Sequence, residues 1–298
     1  MAAADTSAVP DERALVAAAR GGDGAALEEL ITRHQSRVFR FALKMCRRNE
    51  DAEDVLQETL LAAARTLKDY RGEASLPTWL YTIARSFCIK KRRRSKFAPK
   101  QVVSLGAEEA RPVLEIPDPG RLPDQLLADR EIAAELNRAV AVLAPAYRDV
   151  LILRDIEGLP AAEVAQVMHL TVEAVKSRLH RARSQVRQAL APLLGAGEAQ
   201  ARPRACPDIV SLFSRHLEGD IDAKVCARME RHLEGCERCE AACESLRQTL
   251  RLCRATPAPV VPAGLQESIR AKIHAMIAGR SASRPQRTAR ARPARRRR

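Results

Sequence analysis

The chain of 298 residues has room for two or three small domains, and its 51 Lys+Arg against 37 Asp+Glu leave a formal charge of +14, the balance of a protein that meets a polyanion. Only 3% of residues are aromatic and the charged residues interleave with Ala and Leu, which excludes an all-β architecture and points to an all-α protein of small bundles with modest cores. No apolar run approaches the ~20 residues needed to cross a bilayer, and the N-terminus MAAADTSAVPDER lacks a basic start followed by an apolar stretch, so a cytoplasmic location without a membrane partner is expected.

A first helical domain is read over residues 10–96. Leu27, Leu30 and Ile31, then Val38, Phe41, Ala42 and Met45, then Ala52, Val55, Leu56, Thr59, Leu60, Ala63 and Leu67 form one-sided stripes at helical spacing. Asp51 is the expected N-cap of the third stripe, with Glu53 and Asp54 at the positive end of its dipole. A further helix is expected from Ser75, through Trp79, Leu80, Ile83, Ala84 and Phe87, into the basic end Lys90-Lys91-Arg92-Arg93-Arg94. Its aromatics Trp79 and Tyr81 and its cations Arg85, Lys90, Lys91, Arg92 and Arg93 suit unpaired bases and backbone phosphates. The two aromatics fit a core position as well.

Residues 97–122, with Pro99, Pro112, Pro117 and Pro119, read as an extended linker of about 25 residues. A second helical domain follows over 123–194. Within it, Gly158 to Arg183 has two short helices joined by a tight turn, with Pro160 opening the first and Thr171 capping the second. Val172, Val175, Leu179, Ala182 and Val186 share one face of the second helix, which must pack inward. The opposite face presents Glu173, Ser177, His180 and Arg181, flanked by Lys176 and Arg178, as a helix in the major groove requires. A solvated basic helix in an ordinary bundle is the competing reading.

The rest of the chain divides into a Cys-rich module (204–254) and a final segment (255–298) with a short amphipathic stretch and an Arg-rich tail. Six cysteines, Cys206, Cys226, Cys236, Cys239, Cys243 and Cys253, fall within 48 residues, a density that argues for metal or redox chemistry. His232-x3-Cys236-x2-Cys239, with Gly235 ending the helix that carries His232, lets three ligands converge while Cys206 supplies the fourth. Zinc is the default occupant of such a Cys3His set. Cys226, Cys243 and Cys253 are surplus to a four-ligand site and are candidates for further metal ligands; Cys239 and Cys243, at i and i+4, could share a soft metal ion or bond to each other. His216 is a further candidate ligand. Cys46 and Cys88, on apolar faces, read as small core residues. Arg284 to Arg298 holds 8 Arg and no acid, and Ile89 to Lys100 holds 7 Lys+Arg and no acid, so these two segments account for the whole excess charge.

Asp51-Ala-Glu-Asp-Val-Leu-Gln-Glu-Thr-Leu60, Thr78-Trp-Leu-Tyr-Thr-Ile-Ala-Arg85, the proline-rich linker and Val175-Lys-Ser-Arg-Leu-His-Arg-Ala-Arg183 together resemble a bacterial extracytoplasmic-function (ECF) sigma factor of RNA polymerase over about residues 10–194. The resemblance implies that the helix from Asp51 to Leu67 docks on core polymerase through Asp51, Asp54, Gln57 and Glu58. It implies also that residues 70–75 and the helix from Trp79 to Arg94 capture a melted −10 element, and that the helix from Thr171 reads the −35 element of promoter DNA. The family usually has Gly in the turn where this chain has His169, a position expected to want positive φ. It often has an acid where this chain has Ile89.

The Cys-rich module is similar to the zinc-binding anti-sigma domain that normally restrains such factors from a separate protein. The whole resembles the CorE-like group, whose fused tail senses copper, cadmium or zinc. The implied activity is promoter-directed initiation gated by metal at the chain's own C-terminus, with no separate anti-sigma factor required if the tail acts in cis. The alternative is a helix-turn-helix regulator that works without polymerase and carries a structural zinc or thiol-redox module. An enzyme has little support, because Gly21-Gly-Asp-Gly24 follows a helix and not a strand and so is no phosphate loop.

Overall fold

The computed structural model describes residues 11–46, 48–97, 123–194 and 206–282. The linker beyond residue 97 and the Arg-rich tail from residue 283 lie outside the described residues. Among the described residues all regular structure is helical, and no helix is long and apolar enough to cross a membrane.

The first domain consists of α1 (Glu12–Gly21), α2 (Gly24–Met45), α3 (Asn49–Thr66) and α4 (Leu76–Phe97). Gly22, at φ 102, ends α1, and Asp23 then accepts the N–H groups of Ala25 and Ala26 at 2.9 and 3.2 Å to start α2. The Gly-rich tetrapeptide is therefore a corner between two helices. The first two apolar stripes belong to one helix of 22 residues, because nothing between Ile31 and Val38 breaks the backbone and both stripes fall on its buried face. The expected N-cap of α3 is corrected: Arg48 occupies that position without a side-chain cap, and Asp51 lies in the first turn beside Glu50, where it complements the helix dipole. Ser75 immediately precedes α4, and its Oγ accepts the Thr78 N–H at 3.4 Å.

The second domain holds α5 (Pro123–Val142), α6 (Pro145–Leu151), α7 (Ala161–Met168) and α8 (Val172–Leu190). Buried Arg148 donates to the carbonyls of Val140 and Leu143 at 3.1 and 3.0 Å, supplying partners that the end of α5 cannot find within its own helix. A π-helical turn, Ile152–Ile156, continues α6 and turns Asp155 inward. The helix-turn-helix comprises α7 and α8. His169 stands at φ 54, ψ 52, and Thr171 Oγ1 accepts the Ala174 N–H at 3.2 Å to cap α8, both as expected. Since a side chain other than Gly is strained at that φ, His169→Gly should stabilise the chain by about 0.5–1 kcal/mol. A thermal melt should then rise by about 1–2 °C.

The C-terminal third contains α9 (Ile209–Leu217), α10 (Ala223–Glu234), α11 (Glu237–Ala255) and α12 (Ala263–Ala282). Ile209, Phe213, Met229, Cys243, Leu246 and Leu250 form a small core of their own. Further along, Cys253, Val261, Ile269 and Ile273 join the large core that runs through the two preceding domains. The amphipathic stretch after the module is thus a full helix of 20 residues, fastened across the first domain by Ile269 and Ile273.

Candidate metal centre and nucleic-acid interface

The residues chosen by spacing converge. One ligand atom from each of Cys206, His232, Cys236 and Cys239 lies within 4.8 Å of the other three. Cys206 comes just before α9, His232 from the last turn of α10, Cys236 from the N-cap of α11 and Cys239 from its first turn. Gly235 closes α10 between them, as the spacing predicts. The sulfurs of Cys206 and Cys236 are 3.9 Å apart, and His232 Nε2 is 3.2 Å from Cys239 Sγ. The edges of a tetrahedron with bonds of about 2.0–2.3 Å measure about 3.3–3.8 Å, so the set fits zinc in both donor type and size. Burial and the neighbouring sulfurs of Cys236 and Cys206 push the Cys239 thiol up to about 12.

The surplus cysteines stand apart from this quartet. Cys243 and Cys253 are fully buried, and burial pushes their thiols up to about 11 and about 12. Cys226 sits 3.5 Å from His216 Nδ1 and 3.3 Å from Glu230, away from the four.

On α8 the inward face is Val175, Leu179, Ala182 and Val186, as expected from the period. Glu173, Ser177 and Arg181 are exposed together with Thr171, and Arg178 is half-buried. The flank carrying Lys176, His180 and Arg183 is covered by the C-terminal module. Lys176 pairs with Asp220 at 3.1 Å, and His180 Nδ1 is 2.7 Å from Ser214 Oγ. Arg183, 1% exposed, binds Asp155 at 2.6 Å and Glu218 at 2.7 Å. Glu218 also takes Arg154 at 3.1 Å. Two acids in the turn between α9 and α10 thus occupy cations that phosphate oxygens could otherwise take. The acidic run Glu218-Gly-Asp220-Ile-Asp222 was the only sequence signal for this contact.

The aromatic and basic helix differs from expectation. Tyr81 does not face solvent: it is 1% exposed and donates its hydroxyl to Glu157 Oε2 at 2.6 Å, so it cannot meet a base in this arrangement. Trp79 is half-buried against the core, with its ring 5.1 Å from that of Tyr70. Arg85 and Arg92 both turn to the buried Asp149 of the second domain, at 3.3 and 3.7 Å. Lys91 pairs with Asp54 and, at 3.6 Å, with Asp51. Lys90, Arg93 and Arg94 face solvent. Periodicity along α4 could not reveal Glu157 and Asp149 as partners, because both lie across the linker.

On α3, Asp54 and Glu58 are exposed, while Asp51 and Gln57 are half-buried. Helix α12 lies over this face and over α2. Gln57 donates to Ser268 Oγ at 3.2 Å and accepts from Lys272 Nζ at 2.7 Å. Glu28 takes Arg270 at 2.5 Å and His274 at 3.2 Å.

Residues 30–97 match the Sigma-70 region 2 family, 131–186 the Sigma-70, region 4 family, and 206–239 a zinc-finger family. Helix α12 lies outside all three matches. The RNA polymerase sigma-H factor of Pseudomonas aeruginosa is 30% identical over 190 residues, which span 61% of this chain and 95% of that one. The ECF RNA polymerase sigma factor SigM of Mycobacterium tuberculosis is 32% identical over 181 residues, 61% of this chain and 83% of that one. SigE of Mycolicibacterium smegmatis is 33% identical over 174 residues, 57% of this chain and 65% of that one, so this chain spans just under two thirds of that relative. Among solved structures, the sigma factor RpoE bound to the anti-sigma factor NepR from Bartonella quintana is 20% identical, with 57% of this chain and 97% of that chain covered and a TM-score of 0.44.

Proposed function

The chain belongs to the ECF RNA polymerase sigma factors, and from that premise we propose that its C-terminal segment restrains it in cis, under the control of metal at the Cys206/His232/Cys236/Cys239 centre. One observation carries the reading: the C-terminal segment lies on both surfaces through which such a factor would work. Helix α12 covers the part of α3 that includes Gln57, which we read as a polymerase-docking residue with Asp51, Asp54 and Glu58. The module that bears the four ligands lies along α8, where Glu218 and Asp220 hold Arg183, Arg154 and Lys176.

In the released state Glu173, Ser177, Arg178 and Arg181 would face the −35 element, with Lys176 and Thr171 toward phosphates. The basic end Lys90 to Arg93, of which Lys90 and Arg93 are exposed, would serve the −10 element with Arg85 and Trp79 once the two domains separate. Zinc fits the quartet, and bound metal would supply a rigid tie between the chain just before α9 and the junction of α10 and α11. That tie would hold in place the turn that presents Glu218 and Asp220 to α8. Copper or cadmium, both suited to thiolate donors, are the soft ions that would compete for the site. Held this way, the chain needs no separate anti-sigma factor.

Run-off transcription with purified core polymerase tests the proposal. The zinc-loaded chain should give little transcript, and removal of zinc or exchange for cadmium or copper should raise the yield. Replacing Cys236 and Cys239 together by Ser should leave a yield that no longer responds to metal. An unchanged metal dose curve in that variant would end the gating proposal. Absence of promoter-specific initiation under every condition would favour a regulator acting without polymerase.

A further inference from the structure

The two cysteines outside the metal module, 42 residues apart in sequence, meet in the first domain. Cys46 is the C-cap of α2, its N–H held by the Ala42 carbonyl at 2.8 Å, and Cys88 lies on the inner face of α4. Their sulfurs are 3.8 Å apart. A disulfide needs about 2.05 Å between sulfurs, so bonding would move them together by about 1.8 Å, within reach of rotamer adjustment at the last turn of α2. The two thiols are not equivalent. Cys88 is fully buried, whereas Cys46 is only partly covered, at the corner between α2 and α3, where a small oxidant can reach it. Its hydrogen bond with Cys88 holds the Cys46 thiol below the ordinary range against the opposing effects of partial burial and Asp51, and Arg92 and Lys91 also favour the thiolate. The same contact together with burial pushes the Cys88 thiol up.

We propose that Cys46 and Cys88 are a peroxide-oxidised thiol pair, a reversible modification site separate from the metal centre. In the first step the Cys46 thiolate attacks one oxygen of hydrogen peroxide. The O–O bond breaks, sulfur is oxidised to a sulfenic acid, and the departing hydroxide takes a proton to become water. In the second step the Cys88 sulfur attacks the Cys46 sulfur. The S–S bond forms as the S–O bond breaks, and the hydroxyl leaves as a second water with the Cys88 proton. Two thiols and one peroxide yield one disulfide and two waters, and a dithiol reverses the change. The bond would fasten the end of α2 to α4 one turn before Lys91 and Arg92, whose ion pairs reach α3 and the second domain.

The zinc-loaded full chain, treated with hydrogen peroxide, alkylated and digested with trypsin without reduction, gives the test. The expected product is the tripeptide of residues 45–47 joined to the pentapeptide of residues 86–90, lighter than the two by two hydrogens. In Cys88→Ser, and in Cys88→Ala should the serine variant fail to fold, Cys46 should instead carry a sulfenic acid trapped by dimedone. In Cys46→Ser neither the cross-link nor a dimedone adduct should form at Cys88. Recovery of both peptides as alkylated free thiols overturns the proposal, as does joining of Cys46 to a cysteine of the metal module.

Discussion

Replacing Ile269 and Ile273 together by Asp should raise the affinity of the chain for core polymerase at least about tenfold. The two side chains are 1% and 3% exposed beneath α12, and each contributes roughly 2–3 kcal/mol by its burial. The polar seam around them adds little. The Glu28 pairs to Arg270 and His274 are exposed to water, where such pairs contribute up to about 1 kcal/mol each. A carboxylate in place of either Ile would be desolvated beside α2 and α3 without a designed partner, a larger loss than the missing methyl groups. Helix α12 should therefore leave α3 while the first domain, whose other core contacts are untouched, keeps its melting transition. Each 1.4 kcal/mol removed from the closed state shifts the open fraction about tenfold until opening is complete, so the gain saturates. Arg270→Ala, which removes only an exposed pair, should change the affinity by less than about threefold. A titration of fluorescently labelled core measures both. If the double variant has released α12, as judged by hydrogen exchange over 263–282, and binds core no better, α12 does not compete with polymerase.

What could be read from the residues alone depended on whether the determinant was local. The metal quartet was legible because three of its ligands lie within eight residues and a Gly marks the bend between two helices. The positive φ at His169 and the cap at Thr171 were legible for the same reason: a helix-turn-helix corner allows few backbone paths. Tyr81 was ambiguous because an aromatic on a helix face has the same spacing whether it meets a base or a buried acid, and the acid lies 76 residues away. Arg40, which joins Glu157 and the Thr256 carbonyl, carries no periodic signal at all. Nor does the seat of α12, since its apolar pattern states that Ile269 and Ile273 are buried but not against which helix. Asp51 was misplaced by one turn because Asn49, Glu50 and Asp51 all suit a helix start, whereas the N-cap falls on Arg48, a residue type that gives no capping signal.

Glu157→Gln should open the two helical domains, seen as a larger radius of gyration in solution scattering and as stronger promoter binding by the holoenzyme. The −35 and −10 elements are about 25 positions apart, or about 85 Å of duplex at about 3.4 Å per base pair. A linker of about 25 residues reaches at most ~80–90 Å. The linker is thus long enough for a factor that holds both elements, but the closed arrangement is not, since Tyr81 of the first domain touches Glu157 of the second at 2.6 Å. Glu157 is the post on which closure turns. Its side chain is 0% exposed, it accepts from Arg40 Nε and Nη2 at 2.7 Å each, and its carbonyl takes Arg37 at 2.9 Å. Arg40 also donates to the Thr256 carbonyl at 2.7 Å, so the same residue fastens the C-terminal segment. Gln keeps the shape but removes the charge and turns an N–H toward Arg40, and breaking one side of a buried pair costs about 3–5 kcal/mol. That cost falls mainly on the closed state, because in the open state Arg40 and Tyr81 regain water. Ser75→Ala, which removes a more exposed contact to Glu163 at 2.6 Å, should leave the radius nearly unchanged. A folded Glu157→Gln chain with unaltered radius and promoter affinity would show that closure rests on the other contacts between the two domains, such as those of Arg85 and Arg92 with Asp149, and not on this buried charge.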